Sequence, residues 1–123
     1  MRTVYPTGTT IYEPHRCCSG YTILFGGPRV TLIDMNGRNV NVWDLPSHVS
    51  AHGTDRAKLL PNGNVLVSRG GMHSTDGVIE EYDWEGELAW RFIPEGQIPH
   101  ETYLGPHHDV TRKANGNTLV ICR

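Results

Sequence analysis

Val78-Ile79-Glu80-Glu81-Tyr82-Asp83-Trp84-Glu85-Gly86-Glu87-Leu88-Ala89-Trp90-Arg91-Phe92-Ile93 decides the fold. It reads as two short strands folded about Asp83-Trp84-Glu85-Gly86. The flanks are rich in Val, Ile, Tyr, Trp and Phe, which suit a pleated, partly buried surface. Gly86 supplies the positive φ that a tight reversal needs. On the outgoing strand Leu88, Trp90 and Phe92 share one face by the period of two, and Glu87 and Arg91 take the other.

The same hairpin recurs upstream. Val30-Thr31-Leu32-Ile33-Asp34-Met35-Asn36-Gly37 runs into Asn39-Val40-Asn41-Val42-Trp43. Asp34, Gly37 and Trp43 stand where Asp83, Gly86 and Trp90 stand, with two extra residues before the tryptophan. Both rings, placed at equivalent points of two outer strands, are expected to be largely buried. A second kind of hairpin also occurs twice: Ala57 to Ser68 around Asn62-Gly63-Asn64, and Val110 to Ile121 around Asn115-Gly116-Asn117. Asn-Gly between apolar runs is a strong hairpin signal. The two kinds alternate with a period of about 50 residues, in the range of four-stranded propeller blades.

The expected architecture is therefore all-β, with about two and a quarter four-stranded antiparallel blades of a larger propeller. Residues 1–20 are irregular, with room for one edge strand before Pro14. Residues 21–45 are the last three strands of one blade, 56–93 a complete blade, and 107–123 the start of a third. Ala57–Leu60 should pair with Val65–Ser68, and Val78–Asp83 with Leu88–Ile93. Rings of this kind close with 4–8 blades. The expectation is that the remaining blades come from a longer chain or from other copies in a homo-oligomer.

Composition agrees. Fourteen glycines and eight prolines in 123 residues, with no long 3.6-period stretch, favour short strands and many turns. A net charge of −2 with signs interspersed gives no basic stripe for nucleic acid. No apolar run approaches the roughly 20 residues of a membrane span. Met1 to Pro6 lacks the apolar segment of a secretory signal. Cys17, Cys18 and Cys122 are too few and too badly spaced for a zinc ribbon. Cys122 can pair with one of the adjacent two only if their Cα atoms lie within about 7 Å; otherwise all three are free or buried thiols.

The repeat also locates candidate chemistry. The turns Asp34–Gly37, Pro61–Asn64, Asp83–Gly86 and Ala114–Asn117 fall at one end of the blades and carry no histidine. The connections 46–55, 69–77 and 94–108 fall at the other end and hold His48, His52, His73, His100, His107 and His108, six of the seven histidines. Long loops on a rigid scaffold carry function, although histidine is also an ordinary residue of solvated loops. The best candidate is His107-His108-Asp109. It enters the first, innermost strand of a blade, where the central channel opens. Successive side chains point to opposite faces, so one of the two histidines faces the channel, and Asp109 is placed to orient an imidazole. Arg112 lies four residues on from His108, about 13 Å along the strand; it is either an anion partner or a solvated strand arginine.

The ordered set Leu32-Ile33-Asp34-Met35-Asn36-Gly37, Ala57 to Asn64, Glu81 to Gly86 with Trp90, His107-His108-Asp109-Val110 and Asn115 to Val120 resembles the arylsulfotransferase family. The resemblance covers most of residues 20–123. It implies a six-bladed propeller that moves a sulfuryl group from an aryl sulfate to a phenol through a sulfated histidine. That route uses no cofactor and no metal, and family members are typically periplasmic or secreted. His108 and His107 are then the candidates for nucleophile or oxygen donor. Asp109, His73 and Arg112 are the candidate substrate-binding or supporting residues. Neutral imidazole can attack sulfur and split one hard displacement into two easier ones. Two other classes compete. One is a metal-dependent propeller oxidoreductase with histidine ligands on the axis. The other is a non-catalytic propeller that serves as a binding module. A quinone-dependent dehydrogenase propeller ranks lower, because its Ala-x-Asp-x-x-Thr-Gly pattern is absent.

Overall fold

The computed structural model of the chain describes residues 11–46, 53–70, 77–93 and 106–122. Within these, a 3₁₀ turn at Pro14–Arg16 precedes the strands β1 (Thr22–Gly26), β2 (Arg29–Ile33), β3 (Asn39–Asp44), β4 (Thr54–Leu59), β5 (Val65–Arg69), β6 (Val78–Tyr82), β7 (Leu88–Phe92), β8 (Pro106–Arg112) and β9 (Thr118–Cys122). No α-helix occurs among the described residues. The strands form three antiparallel sheets, β1-β2-β3, β4-β5-β6-β7 and β8-β9. The expected four-stranded sheet is present, with β4 on β5 and β6 on β7 as the hairpin reading requires. Among the described residues the sheets do not close into a ring.

One turn design makes four of the five hairpins; the β1–β2 hairpin turns instead through Gly27-Pro28. In each of the four, the residue before the turn accepts a hydrogen bond from the glycine three positions on: Gly37 N to Asp34 O at 3.0 Å, Gly63 N to Leu60 O at 3.0 Å, Gly86 N to Asp83 O at 3.1 Å and Gly116 N to Lys113 O at 2.9 Å. The four glycines sit at φ of 77° to 90°. This is the type I turn followed by a left-handed residue that makes a G1 bulge. Side chains reinforce it: Asp34 Oδ1 accepts from Asn36 N at 2.8 Å, and Asp83 Oδ1 from Glu87 N at 2.8 Å. Asn62 and Asn115 each accept from the backbone two residues on, both at 3.1 Å. Asp and Asn at these positions act as local acceptors that hold the turn.

The ladders correct the alignment of the two Asp-x-x-Gly hairpins. Asn41 lies opposite Leu32 as Trp90 lies opposite Glu81, and Trp43 lies opposite Val30 as Phe92 lies opposite Ile79. The bulges also coincide, at Leu32/Ile33 and at Glu81/Tyr82. Counting from the turn glycine therefore needs no insertion, and Trp43 matches Phe92, not Trp90. The two rings also differ in burial. Trp43 is 1% exposed, whereas Trp90 is only half-buried, packed with Leu60, Phe92 and Val120 around buried Leu66, Ile79 and Val110.

The four-stranded sheet has two covered faces. Val65, Val67 and Tyr82 meet Val30, Leu32, Trp43 and Leu45 of the first sheet, with Ala57. Leu66 and Ile79, on the opposite face by alternation, meet Val110 of β8. β5 is buried along its whole length. A close backbone approach ties the first sheet to β4. Thr54 N donates to Gly27 O at 3.0 Å, and a Cβ on Gly53 would lie 2.9 Å from the Gly27 Cα. Glycine is required at 53 for space as well as for its φ of 80°.

A fully buried carboxylate sits between the first two sheets. Glu80 Oε2 accepts from Tyr82 OH at 2.8 Å and Arg69 NH1 at 3.2 Å, and Oε1 accepts from Arg91 Nε at 2.8 Å. Arg69 also donates to Pro46 O at 2.6 Å. Burial first, and then the hydrogen bond to Glu80, push the Tyr82 phenol up to about 12. A raised phenol favours the folded state below the ordinary tyrosine value of about 10. That contribution is lost as pH climbs through about 12. Urea midpoints across this window should fall more steeply for wild type than for Tyr82→Phe. Parallel curves would show that Tyr82 ionises freely.

Candidate functional site

The His-His-Asp stretch lies where β8 begins, and the local backbone departs from a plain strand. Pro106 pairs with Cys122 and Val110 with Val120, so β8 uses four residues where β9 uses two. The slack is taken up by His107-His108-Asp109, and His108 adopts φ 62°. It is the only non-glycine residue in the left-handed region among those described. Histidine enters that region more readily than a branched residue, at a cost of roughly 1–2 kcal/mol. Strain of this kind persists where surrounding structure over-determines it, commonly at functional sites.

The bulge separates the two imidazoles by environment while keeping them in contact. Their ring centroids are 4.1 Å apart with planes at 61°. His108 is exposed. His107 is half-buried, and its Nε2 is shielded from solvent with no hydrogen-bond partner among the described residues. A simple alternation would have placed the rings on opposite faces; the left-handed residue brings them edge to face instead.

β4 supplies cations that the motif reading missed. Lys58 Nζ lies 2.8 Å and Arg56 Nε 3.5 Å from Asp109 Oδ1, and Arg56 Nε donates to His108 O at 3.2 Å. Arg56 also lies over the Phe25 ring of β1, 5.9 Å from its centroid. Val110 N donates to the same Asp109 oxygen at 2.9 Å. The Lys58 hydrogen bond above all, with help from Val110 N and the charges of Lys58 and Arg56, holds the Asp109 carboxyl below its usual range. Asp109 thus anchors Arg56 and Lys58 and bonds to neither imidazole. Two cations face one carboxylate, leaving positive charge beside the bulge. The signal for Arg56 and Lys58 was their spacing of two on a short strand, which puts both on one face.

Arg112 is part-buried and held by local partners. Its NH2 lies 2.6 Å from Glu81 Oε2, its NH1 donates to Gly116 O at 3.2 Å, and its Cζ sits 4.5 Å from the Trp90 ring centroid. It fastens the second sheet to the third, away from the bulge. His73, like His48, His52 and His100, lies outside the described residues. Of the six histidines expected at one end of the blades, the structure describes His107 and His108.

An open cleft of about 490 Å³ lies at the opposite end, between the turns, lined by Leu60, Pro61, Glu81, Arg112, Lys113 and Gly116 among others. Among the described residues no group of three or more His, Cys, Asp or Glu gathers in a way that could hold a metal ion. Cys17, Cys18 and Cys122 carry free, exposed thiols. No helix among the described residues is long and apolar enough to cross a membrane. Comparison with protein-family models, with curated proteins and with solved structures finds no match to this chain.

Proposed function

We propose that the protein is an arylsulfotransferase-like propeller enzyme that moves a sulfuryl group from an aryl sulfate to a phenol, with His108 as the nucleophile and His107 behind it. The observation that carries this reading is the β8 bulge: an exposed imidazole on a strained, left-handed residue, in contact with a second imidazole and beside Arg56 and Lys58. The excess positive charge suits a sulfate ester, and cations near the equatorial oxygens favour the charge of the transition state. In the first step an imidazole nitrogen forms a bond to sulfur while the sulfur–aryloxy bond breaks and a phenolate leaves. In the second, an acceptor phenol gives its proton to water and attacks sulfur, the nitrogen–sulfur bond breaks with its electron pair returning to nitrogen, and the imidazole is restored. His107 stands edge to face against the His108 ring and supports its position.

Transfer from a chromogenic aryl sulfate to a phenol is the test. His108→Ala should lower the rate by about a thousandfold or more, as expected for a lost nucleophile. His107→Ala should lower it by about a hundredfold, as expected for a misplaced one. His108→Gly should be inactive yet more stable than wild type by about 1 kcal/mol, since it relieves the left-handed strain. Full activity in both alanine variants would remove the site assignment. Absence of transfer, with stoichiometric metal bound and lost in His108→Ala, would favour the oxidoreductase class instead.

A further inference from the structure

β5 turns a different face to each neighbouring sheet, and one face carries a buried hydroxyl. Val65 and Val67 meet the first sheet, so alternation sends Leu66 and Ser68 toward the third. The cross-strand partners agree. On β4, Arg56 lies opposite Ser68 and Lys58 opposite Leu66, and these two cations reach His108 O and Asp109 Oδ1 of β8. On β6, Ile79 lies opposite Ser68 and packs with Leu66 against Val110 of β8. Ser68 is 0% exposed, and its Oγ has no hydrogen-bond partner among the described residues.

His107 Nε2 is the matching atom across the seam, enclosed and equally without a described partner. Thr111, Leu119 and Ile121 leave the far face of the β8-β9 sheet exposed, so an enclosed β8 atom lies on the face toward the second sheet. The levels agree as well. Ser68 stands two residues beyond Leu66 along β5, about 7 Å by strand rise. The bulge compresses Pro106 to Val110 into the span of Cys122 to Val120, again about 7 Å. Leu66 and Val110 share one cluster. Ser68 and His107 therefore lie at one height of the seam, and the Arg56 bond to His108 O marks the same height.

We propose that Ser68 is a positioning residue for His107: its hydroxyl donates to Nε2, directly or through one enclosed water, and fixes the ring proton on Nδ1. Two buried polar atoms left apart would each keep a desolvation cost, whereas a hydroxyl and an imidazole nitrogen are complementary. One water suits an enclosed gap between two such groups. No described acceptor receives the Ser68 proton, so the hydroxyl is the donor of the pair and Nε2 the acceptor. The bond a ring nitrogen makes sets the tautomer. A His107 ring held in one tautomer and one orientation keeps its place against His108.

Two-bond nitrogen–proton NMR of the histidine rings reads the pair without any turnover. Wild type should show His107 as one tautomer, protonated at Nδ1. Ser68→Ala should convert it to a mixture, and Ser68→Thr, which keeps the hydroxyl, should restore it. The urea midpoint should fall in Ser68→Ala, because Nε2 loses its donor; removal of an unpartnered hydroxyl would raise it. A third arm, which alone rests on the proposed reaction, is the transfer rate. Ser68→Ala should transfer sulfate about tenfold more slowly, with Ser68→Thr close to wild type. His107 signals indifferent to Ser68→Ala, a raised midpoint, or full transfer by Ser68→Ala would overturn the proposal. So would signals that move instead with Asp55→Asn, at the extra residue of the β4 bulge. If no form transfers sulfate while the His107 spectrum follows Ser68, the bond stands and only the sulfuryl-transfer reading falls.

Discussion

Glu80→Ala is expected to cost about 3–5 kcal/mol of folding stability, as removing one partner of a buried ion pair does. Glu80 and Arg69 are both 0% exposed, and the carboxylate receives donors from Arg69, Tyr82 and Arg91. Without it, the Arg69 guanidinium stays buried with Pro46 O as its remaining described acceptor. Urea denaturation measures the loss. The double variant Glu80→Leu with Arg69→Met should recover most of it, because apolar replacement of a whole buried pair is often neutral or better. A loss below about 1 kcal/mol for Glu80→Ala, the range of an average substitution, would mean that Arg69 finds water or another anion.

Trp43→Ala should be comparably damaging, at about 3–5 kcal/mol. The ring is 1% exposed, joins a cluster drawn from two sheets, and donates its indole N–H to Asp83 O. Its removal both opens a cavity and loosens the turn that caps the first sheet. Trp43→Phe should recover much of the packing but leave the Asp83 carbonyl with only the Gly86 N–H as donor. Trp90→Ala, at a half-buried position, should lose clearly less than Trp43→Ala. Equal losses at 43 and 90 would contradict the difference in burial between the two rings.

The hairpins were legible because Asp-x-x-Gly and Asn-Gly-Asn encode their turns locally, through a left-handed glycine and side-chain acceptors. The strands followed from Val, Ile and aromatic runs, and β4 to β7 pair as those runs predict. The match of Trp43 to Trp90 failed because a conspicuous residue was used as the anchor, where the turn glycine sets the register. Glu80 was hidden by its neighbour. Two consecutive glutamates look like a solvated strand, yet alternation sends Glu81 to Arg112 and Asn64, and Glu80 to Arg69 across the ladder. A buried carboxylate needs its cation from another strand, and pairing is what brings Arg69 to it. At the candidate site, the His-His-Asp motif singled out a segment that the structure folds into a bulge. Its geometry was not legible, because a bulge with a left-handed histidine breaks the period of two on which facing arguments rest. That break is also why Asp109 meets β4 cations.

Isolating the covalent intermediate tests the central claim most directly. The protein is incubated with an aryl sulfate in the absence of a phenol acceptor, quenched at alkaline pH, and mapped by peptide mass spectrometry. The account predicts a burst of released phenol matched by one sulfuryl group on His108, discharged when a phenol is added. Turnover with no label on residues 107–108, or a label on another residue that discharges at the catalytic rate, would contradict it.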